Sequence, residues 1–233
     1  MSPRIMPENR IPDIAAAAVS VFSRKGYRLT QMDEIAHEAG VSKATLYYYF
    51  KSKIHLFQYV LENFENGRTQ TFPPPGASHS KSEPEFLHML KKRLKEDTKL
   101  HRLAHYLARK PSGNVEQELS EILLEMWEIN ERNRVQIIIL EKSFFEFPEL
   151  AEVYDKYARG QVLRQIEEYL RIRMRQGVFK PLHSVRATAR FLLESLAWFG
   201  FKQPAPPHQI FTKEEALPDL VSIVTSGLIS VGS

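Results

Sequence analysis

The chain has 233 residues, a net charge of +4 and a pI near 9.2, and that length can bury a hydrophobic core without covalent staples. It holds no cysteine, which excludes disulfide scaffolds, thiol nucleophiles and thiolate zinc sites and fits a reducing, cytoplasmic setting. Met1–Arg10 is polar and proline-broken, unlike a secretory signal, and no stretch approaches the roughly 18 apolar residues that a membrane span needs, so no membrane partner is expected.

From Ile11 the apolar residues Ile11, Ile14, Ala15, Ala18, Val21 and Phe22 follow the i, i+3, i+4, i+7 stripe of an amphipathic helix, which Gly26 ends. Thr30 stands three residues before Asp33, a spacing that predicts Thr30 as the N-cap of a short second helix stopping at Ala39-Gly40. Ser42 is set to cap a third, Lys43 to Phe50, and Ser52 a longer fourth through Phe64. Thr71 to Glu85, containing Pro73-Pro74-Pro75-Gly76, reads as a loop. Helices are then expected over about Glu85–Lys110, Val115–Phe145, Pro148–Gln176, Ser184–Phe201 and Lys213–Ile229, separated by proline- and glycine-bearing breaks. No stretch alternates with period two for long enough to argue for a sheet, so the fold class is all-α.

Between Met1 and Lys53 eight cations stand against five acids, a surplus of three in less than a quarter of the chain, and such a bias suits a polyanionic partner. Two short helices joined by Ala39-Gly40-Val41 have the proportions of a helix-turn-helix, whose second helix enters the DNA major groove. On that helix Leu46 and Phe50 can face a small core of Ile14, Ala18, Phe22 and Ile35. Lys43, Ala44, Tyr47 and Tyr48 share the other face, with no acid beside the lysine on the helix. Phenol hydroxyls and lysine can hydrogen-bond phosphates, and rings and Ala44 can touch thymine methyls; a run of tyrosines is equally what a helix packed against a neighbouring domain presents. The backbone N–H groups following Thr30 and Ser42 add anion affinity, and Lys53 can reach the same strand.

Ile11 to Leu56, with "AAAAVSVFSRKGY" and "LTQMDEIAHEAGVSKATLYYYFKSK" in register, resembles the DNA-binding domain of the TetR family of bacterial repressors. The resemblance implies a three-helix DNA-binding domain over residues 1–53 and a helical ligand-binding and dimerisation domain over 54–233, the helix from about 52 connecting them. It implies phosphate contacts from Thr30, Ser42, Thr45, Tyr47 and Lys53, and base-edge or methyl contacts from Lys43, Ala44 and Tyr48. Asp33 departs from relatives that carry a basic residue there, so little base reading is expected from the second helix; Tyr49, often histidine in relatives, is open between DNA and packing. The implied partners are an operator duplex, a second copy of the chain and a small-molecule effector; no cofactor, metal or catalytic residue is implied.

In the body, Leu123, Trp127, Asn130, Arg134, Ile137 and Glu141 lie along one helical line, setting an amide and a guanidinium in an apolar stripe. Buried polar groups need partners, and either an effector or an ion pair of Arg134 with Glu141 or Glu168 would serve. Tyr106, Met126, Trp127, Asn130, Arg134 and Trp198 are the candidate effector-pocket residues, although an aromatic stripe is equally ordinary core. His101 and His105, four apart, have a chelating spacing without an evident third ligand, and Lys91-Lys92-Arg93-Lys95 reads as a solvated face offset by Glu96 and Asp97. An enzyme is disfavoured, since there is no phosphate-cradling glycine loop and no H-E-x-x-H; a body that recruits another protein is the remaining alternative to one that senses a small molecule.

Overall fold

A computed structural model describes residues 10–65, 68–69, 82–109, 114–204 and 207–229. Its helices are α1 (Ile11–Leu29), α2 (Met32–Glu38), α3 (Lys43–Tyr49), α4 (Lys53–Asn63), α5 (Glu83–Asp97), α6 (His101–Leu107), α7 (Val115–Arg132), α8 (Arg134–Ser143), α9 (Pro148–Tyr154), α10 (Gly160–Arg175), α11 (Val185–Ala197) and α12 (Lys213–Leu228). The only strands among the described residues are an antiparallel two-residue pair, β1 (Phe64–Glu65) and β2 (Arg68–Thr69), so the fold is all-α. Most of the loop expected over Thr71–Glu85 lies outside the described residues.

The chain divides into two compact units, one containing the described residues up to Leu90 together with Val135–Val153, the other Lys91–Arg134 with the described residues from Tyr154 onward. In the first, Phe57 on α4 is the centre of an aromatic cluster, with ring centroids 5.1 Å from Phe22, 4.7 Å from Tyr27 and 5.7 Å from Phe86. Ile14, Ala18, Ile35, Leu46 and Leu56 are fully buried beside them. Each buried aromatic or aliphatic side chain of this kind stabilises the folded state by about 1.5–3 kcal/mol, which is what holds the two very short helices α2 and α3 in place.

Several expected boundaries move, each for a local reason. Gln31 and not Thr30 caps α2: the Gln31 side chain accepts from the Glu34 amide while the Glu34 carboxylate accepts from the Gln31 amide. Thr30 is instead buried, its hydroxyl donating to the Gly26 carbonyl at 2.6 Å. The expected helix over Glu85–Lys110 breaks between Thr98 and Leu100, and α6 restarts with the carboxylate of Glu125 accepting from the amides of His101 and Arg102 at 2.8 and 2.9 Å. Val115–Phe145 is interrupted at Asn133. π-helical turns at Asp155–Arg159 and Trp198–Lys202 extend α10 backward and α11 forward.

The second unit is organised around a buried charge network within an apolar core of Leu119, Ile122, Trp127, Ile166, Leu170 and Leu196. Glu118 and Arg173 are 1% and 0% exposed, with Arg173 Nε donating to Glu118 Oε1 at 2.7 Å. The Tyr169 hydroxyl donates to the same oxygen at 2.6 Å, and the remaining guanidinium nitrogens reach Gln176 Oε1 at 2.7 Å and the Tyr106 carbonyl at 2.8 Å. Burial and then the Glu118 carboxylate hold the Tyr169 phenol above its usual range. The network joins α6, α7 and α10 at one point.

Arg173→Met leaves a buried carboxylate without its counter-charge and is expected to lower unfolding free energy by about 3–5 kcal/mol, whereas Glu118→Leu combined with Arg173→Met recovers most of that loss. Urea denaturation of both variants measures it; a single variant within about 1 kcal/mol of the wild type would show the pair to be dispensable.

Candidate nucleic-acid interface

Helix α3 owes its start to Ser42, whose Oγ accepts from the Thr45 amide at 3.0 Å and lies 2.8 Å from the Thr45 hydroxyl. One face is core: Leu46 is 0% exposed and Tyr49 and Phe50 are nearly buried, with Phe50 edge-on to Tyr59 at 5.1 Å. This resolves Tyr49 as a packing residue. The opposite face carries Ser42, Lys43, Ala44, Tyr47 and Tyr48, all exposed, with Thr45 half-buried at its edge. Tyr47 and Tyr48 are 38% and 47% exposed, and Tyr48 is braced edge-on against Tyr49 at 5.2 Å. Two large aromatic side chains are therefore held in solvent by a helix whose other face is locked.

Helix α2 lends its acids to neighbouring helices. Glu38 pairs with Arg24 at 2.5 Å and Glu34 with Lys25, both across to α1, and Asp33 pairs with Lys43 on α3 at 2.9 Å. Lys43 thus has an acid partner that its own helix does not reveal, and the hydrogen bond to Asp33 raises its pKa. The pair is well exposed, with side chains 62% and 58% accessible, so solvent screens it and the lysine is easily released to another partner.

Thr30 and Lys53, both expected at phosphates, are occupied with the protein backbone. Besides the buried Thr30 hydroxyl, Lys53 Nζ donates to the carbonyls of Arg28 at 2.8 Å and Thr30 at 2.9 Å and lies 4.9 Å from the Tyr27 ring centroid. Burial lowers the Lys53 pKa, against the fields of Glu146 and Glu83. Lys53 therefore fixes the reversal between α1 and α2. Gln31, exposed at the start of α2, is the residue that sequence reasoning missed; the signal was Glu34 three positions on, the partner spacing of a capping box.

The effector-pocket candidates fall into two places in the second unit. Trp127 is 1% exposed and stacked on Phe199 at 5.5 Å, and Phe199 meets Trp198 edge-on at 5.0 Å. Gly200 packs so tightly on Asn130 that a Cβ there would clash with the Asn130 side chain. Arg134 pairs with neither Glu141 nor Glu168: it donates to the carbonyls of Gly200, at 3.4 Å, and Gln203, and desolvation lowers its pKa. Trp127, Asn130 and Arg134 thus pack against the π-helical turn that Trp198 begins, with buried Met126 in the adjoining core. Tyr106 does not join them: its carbonyl serves Arg173, and burial and the nearby Glu121 carboxylate raise the pKa of its phenol. A groove of about 610 Å³ between α7 and α12 is lined by Asn114, Gln117, Ser120, Lys213, Leu217 and Val221 among others, and by none of the six candidates. His101 and His105 are exposed, and among the described residues no three His, Asp or Glu side chains gather as a metal site.

A capped, cation-bearing helix with an outward aromatic face, packed through a short turn on a preceding helix, has the geometry of a helix-turn-helix. Residues 14–60 match the model of the bacterial regulatory proteins of the tetR family. Over 65 residues the chain is 38% identical to the uncharacterised HTH-type transcriptional regulator YfiR of Bacillus subtilis, covering 27% of this chain and 32% of that protein, so the match spans about a third of the relative's length. The ketosteroid transcriptional regulator KstR2 of Mycobacterium tuberculosis superposes over 97% of this chain and 98% of its own, with a TM-score of 0.59 at 17% identity. AibR, solved with isovaleryl coenzyme A and operator DNA, covers 92% of this chain and 97% of its own, with a TM-score of 0.54 at 19% identity. At those identities the superpositions show the fold. Residues 14–60 are thus similar to the DNA-binding domain of that family, and the chain shares the fold of these solved regulators.

Ser42→Ala removes the α3 cap and is expected to lower stability by about 1 kcal/mol and to speed amide exchange at Thr45. Hydrogen exchange measures it; unchanged protection at Thr45 would show that the cap does not hold α3.

Proposed function

We propose that the protein is a homodimeric repressor that reads a palindromic operator with α3 and is released by a small-molecule effector bound in the body. The observation that carries the reading is the solvent exposure of Lys43, Ala44, Tyr47 and Tyr48 on a helix whose opposite face, Leu46 and Tyr49, is core. In this reading residues 1–53 are the DNA-binding domain and 54–233 the ligand-binding and dimerisation domain. Lys43, Ala44 and Tyr48 meet base edges and methyls, Ser42, Thr45 and Tyr47 meet phosphates, and Thr30 and Lys53 act by holding the α1–α2 reversal.

Two reading heads need a spacing of about 34 Å, one turn of duplex, which is the mechanical reason for a dimer. Support for the surface comes from α11: Ala187, Phe191, Glu194 and Trp198 follow one another at helical spacing, and Phe191 and Trp198 are 59% and 39% exposed. Large aromatics in solvent on one helix face suit burial against a second copy. For the effector, support comes from the cluster of Trp127, Phe199, Asn130 and Arg134 at a π-helical turn, an element often found at functional sites, and from AibR, a protein of this fold solved with a coenzyme A thioester. A molecule bound there acts only through tighter binding to the released state than to the DNA-bound one.

The reading is tested with a duplex selected by the wild-type protein from a random pool. Tyr48→Ala and Lys43→Ala are each expected to weaken binding about tenfold, on the scale of one lost base contact, with melting temperature unchanged; wild-type affinity in both would remove α3 from the interface. Phe191→Glu is expected to yield monomers in sedimentation and to abolish the preference for two half-sites over one, and an intact dimer would move the interface elsewhere.

A further inference from the structure

The backbone of α1 leaves helical geometry at Gly26, where φ is 78°. The three amides that follow have acceptors far along the chain, at the end of α8 and on the segment joining it to α9. The Tyr27 amide donates to Ser143 Oγ at 3.0 Å, the Arg28 amide to Glu146 Oε1 at 2.7 Å and the Leu29 amide to Glu146 Oε2 at 3.1 Å. Glu146 reaches them because residue 26 has no side chain: a Cβ there would clash with the Glu146 carboxylate and lie 2.8 Å from the Lys142 carbonyl. On the other side of the turn Lys53 holds the Arg28 and Thr30 carbonyls, and the Arg28 guanidinium lies 5.0 Å from the Phe147 ring centroid. The Tyr27, Arg28 and Leu29 amides and the Arg28 and Thr30 carbonyls are thus paired by side chains more than twenty residues further along the chain.

We propose that Glu146 is a positioning residue for DNA reading: its carboxylate fixes the Tyr27–Leu29 turn, the turn sets where α2 and α3 stand, and duplex affinity depends on it. This rests on the reading of α3 as the DNA-contacting helix. A carboxylate holding two amides makes charge-assisted bonds, stronger than neutral ones, at an end where amides point outward. The direction of the effect separates positioning from simple charge. Glu146 is an acid in a segment that would approach a polyanion, so if it acted only through its field, removing it would strengthen DNA binding. Positioning requires the reverse.

The experiment uses the full chain and the duplex selected by the wild type. Glu146→Ala is expected to weaken binding by an order of magnitude, about the free energy of one charge-assisted bond. Glu146→Gln, isosteric but able to serve only one amide, falls between it and the wild type, and both lose exchange protection at Arg28 and Leu29 while α3's Leu46 amide stays protected. Measurements well below the melting temperature of each variant keep a folding defect from imitating the result. Tighter binding by Glu146→Gln, or wild-type affinity in Glu146→Ala, would overturn the proposal, as would unchanged exchange at Arg28 and Leu29. If the wild type selects no duplex at all, the DNA-reading role of α3 fails first, and the exchange measurement still decides whether Glu146 holds the turn.

Discussion

A helix that stops must find partners for the amides and carbonyls it no longer pairs internally. In the first unit the critical stop is Gly26, where left-handed backbone, easily reached only without a Cβ, turns α1 toward α2. Side chains then pair many of the polar groups of the reversal: Thr30 returns its hydroxyl to the Gly26 carbonyl, Lys53 takes two carbonyls, and Ser143 and Glu146 take three amides. Because α2 and α3 are seven residues each, far below the length at which a helix is stable alone, their orientation is inherited from this turn and from the Phe22–Phe57–Tyr27 cluster beneath it.

The second unit repeats the device with different residues. Glu125 receives the first two amides of α6 as Glu146 receives those of Arg28 and Leu29, and Gln165 takes the Leu100 amide while donating to the Thr98 carbonyl. At its centre Glu118, Arg173 and Tyr169 satisfy one another in full burial. Such a network contributes little net stability compared with an apolar replacement, but it penalises every arrangement in which one partner is missing. It makes the packing of α6, α7 and α10 selective.

Charge on the first three helices is divided between support and contact. Arg24 and Lys25 are spent on Glu38 and Glu34, so the surplus of positive charge counted along the chain overstates what is free to meet a polyanion. What distinguishes α3 is less its charge than its aromatic exposure, since Tyr47 and Tyr48 cover solvent-facing area that a helix of an isolated domain would bury. The body shows the same division: of the cluster Lys91-Lys92-Arg93-Lys95, expected to be offset by Glu96 and Asp97, Arg93 does pair with Asp97, whereas Glu96 pairs with Lys99, and Lys91 and Lys95 lie 4.6 and 5.2 Å from the Tyr157 ring centroid.

Periodicity and capping residues alone determined that this chain is all-α, that α1 runs from Ile11 to a break at Gly26, that Ser42 and Ser52 begin helices, and that Leu46 is core while Lys43, Ala44, Tyr47 and Tyr48 share a face. Those features are local: a 3.6-residue repeat and a hydroxyl three residues before an amide act within one turn of chain. Tertiary structure decided the rest. Whether Tyr49 is core, that Lys43 has Asp33 as its neighbour, that Arg134 serves two carbonyls and not a carboxylate, that Lys53 and Thr30 face backbone, and that the helix from Glu85 breaks at Thr98 all depend on groups supplied from other helices. A hydrogen bond from the Arg28 amide to Glu146 spans 118 positions, and no local pattern encodes it, because the energy that selects it exists only once both segments are packed together.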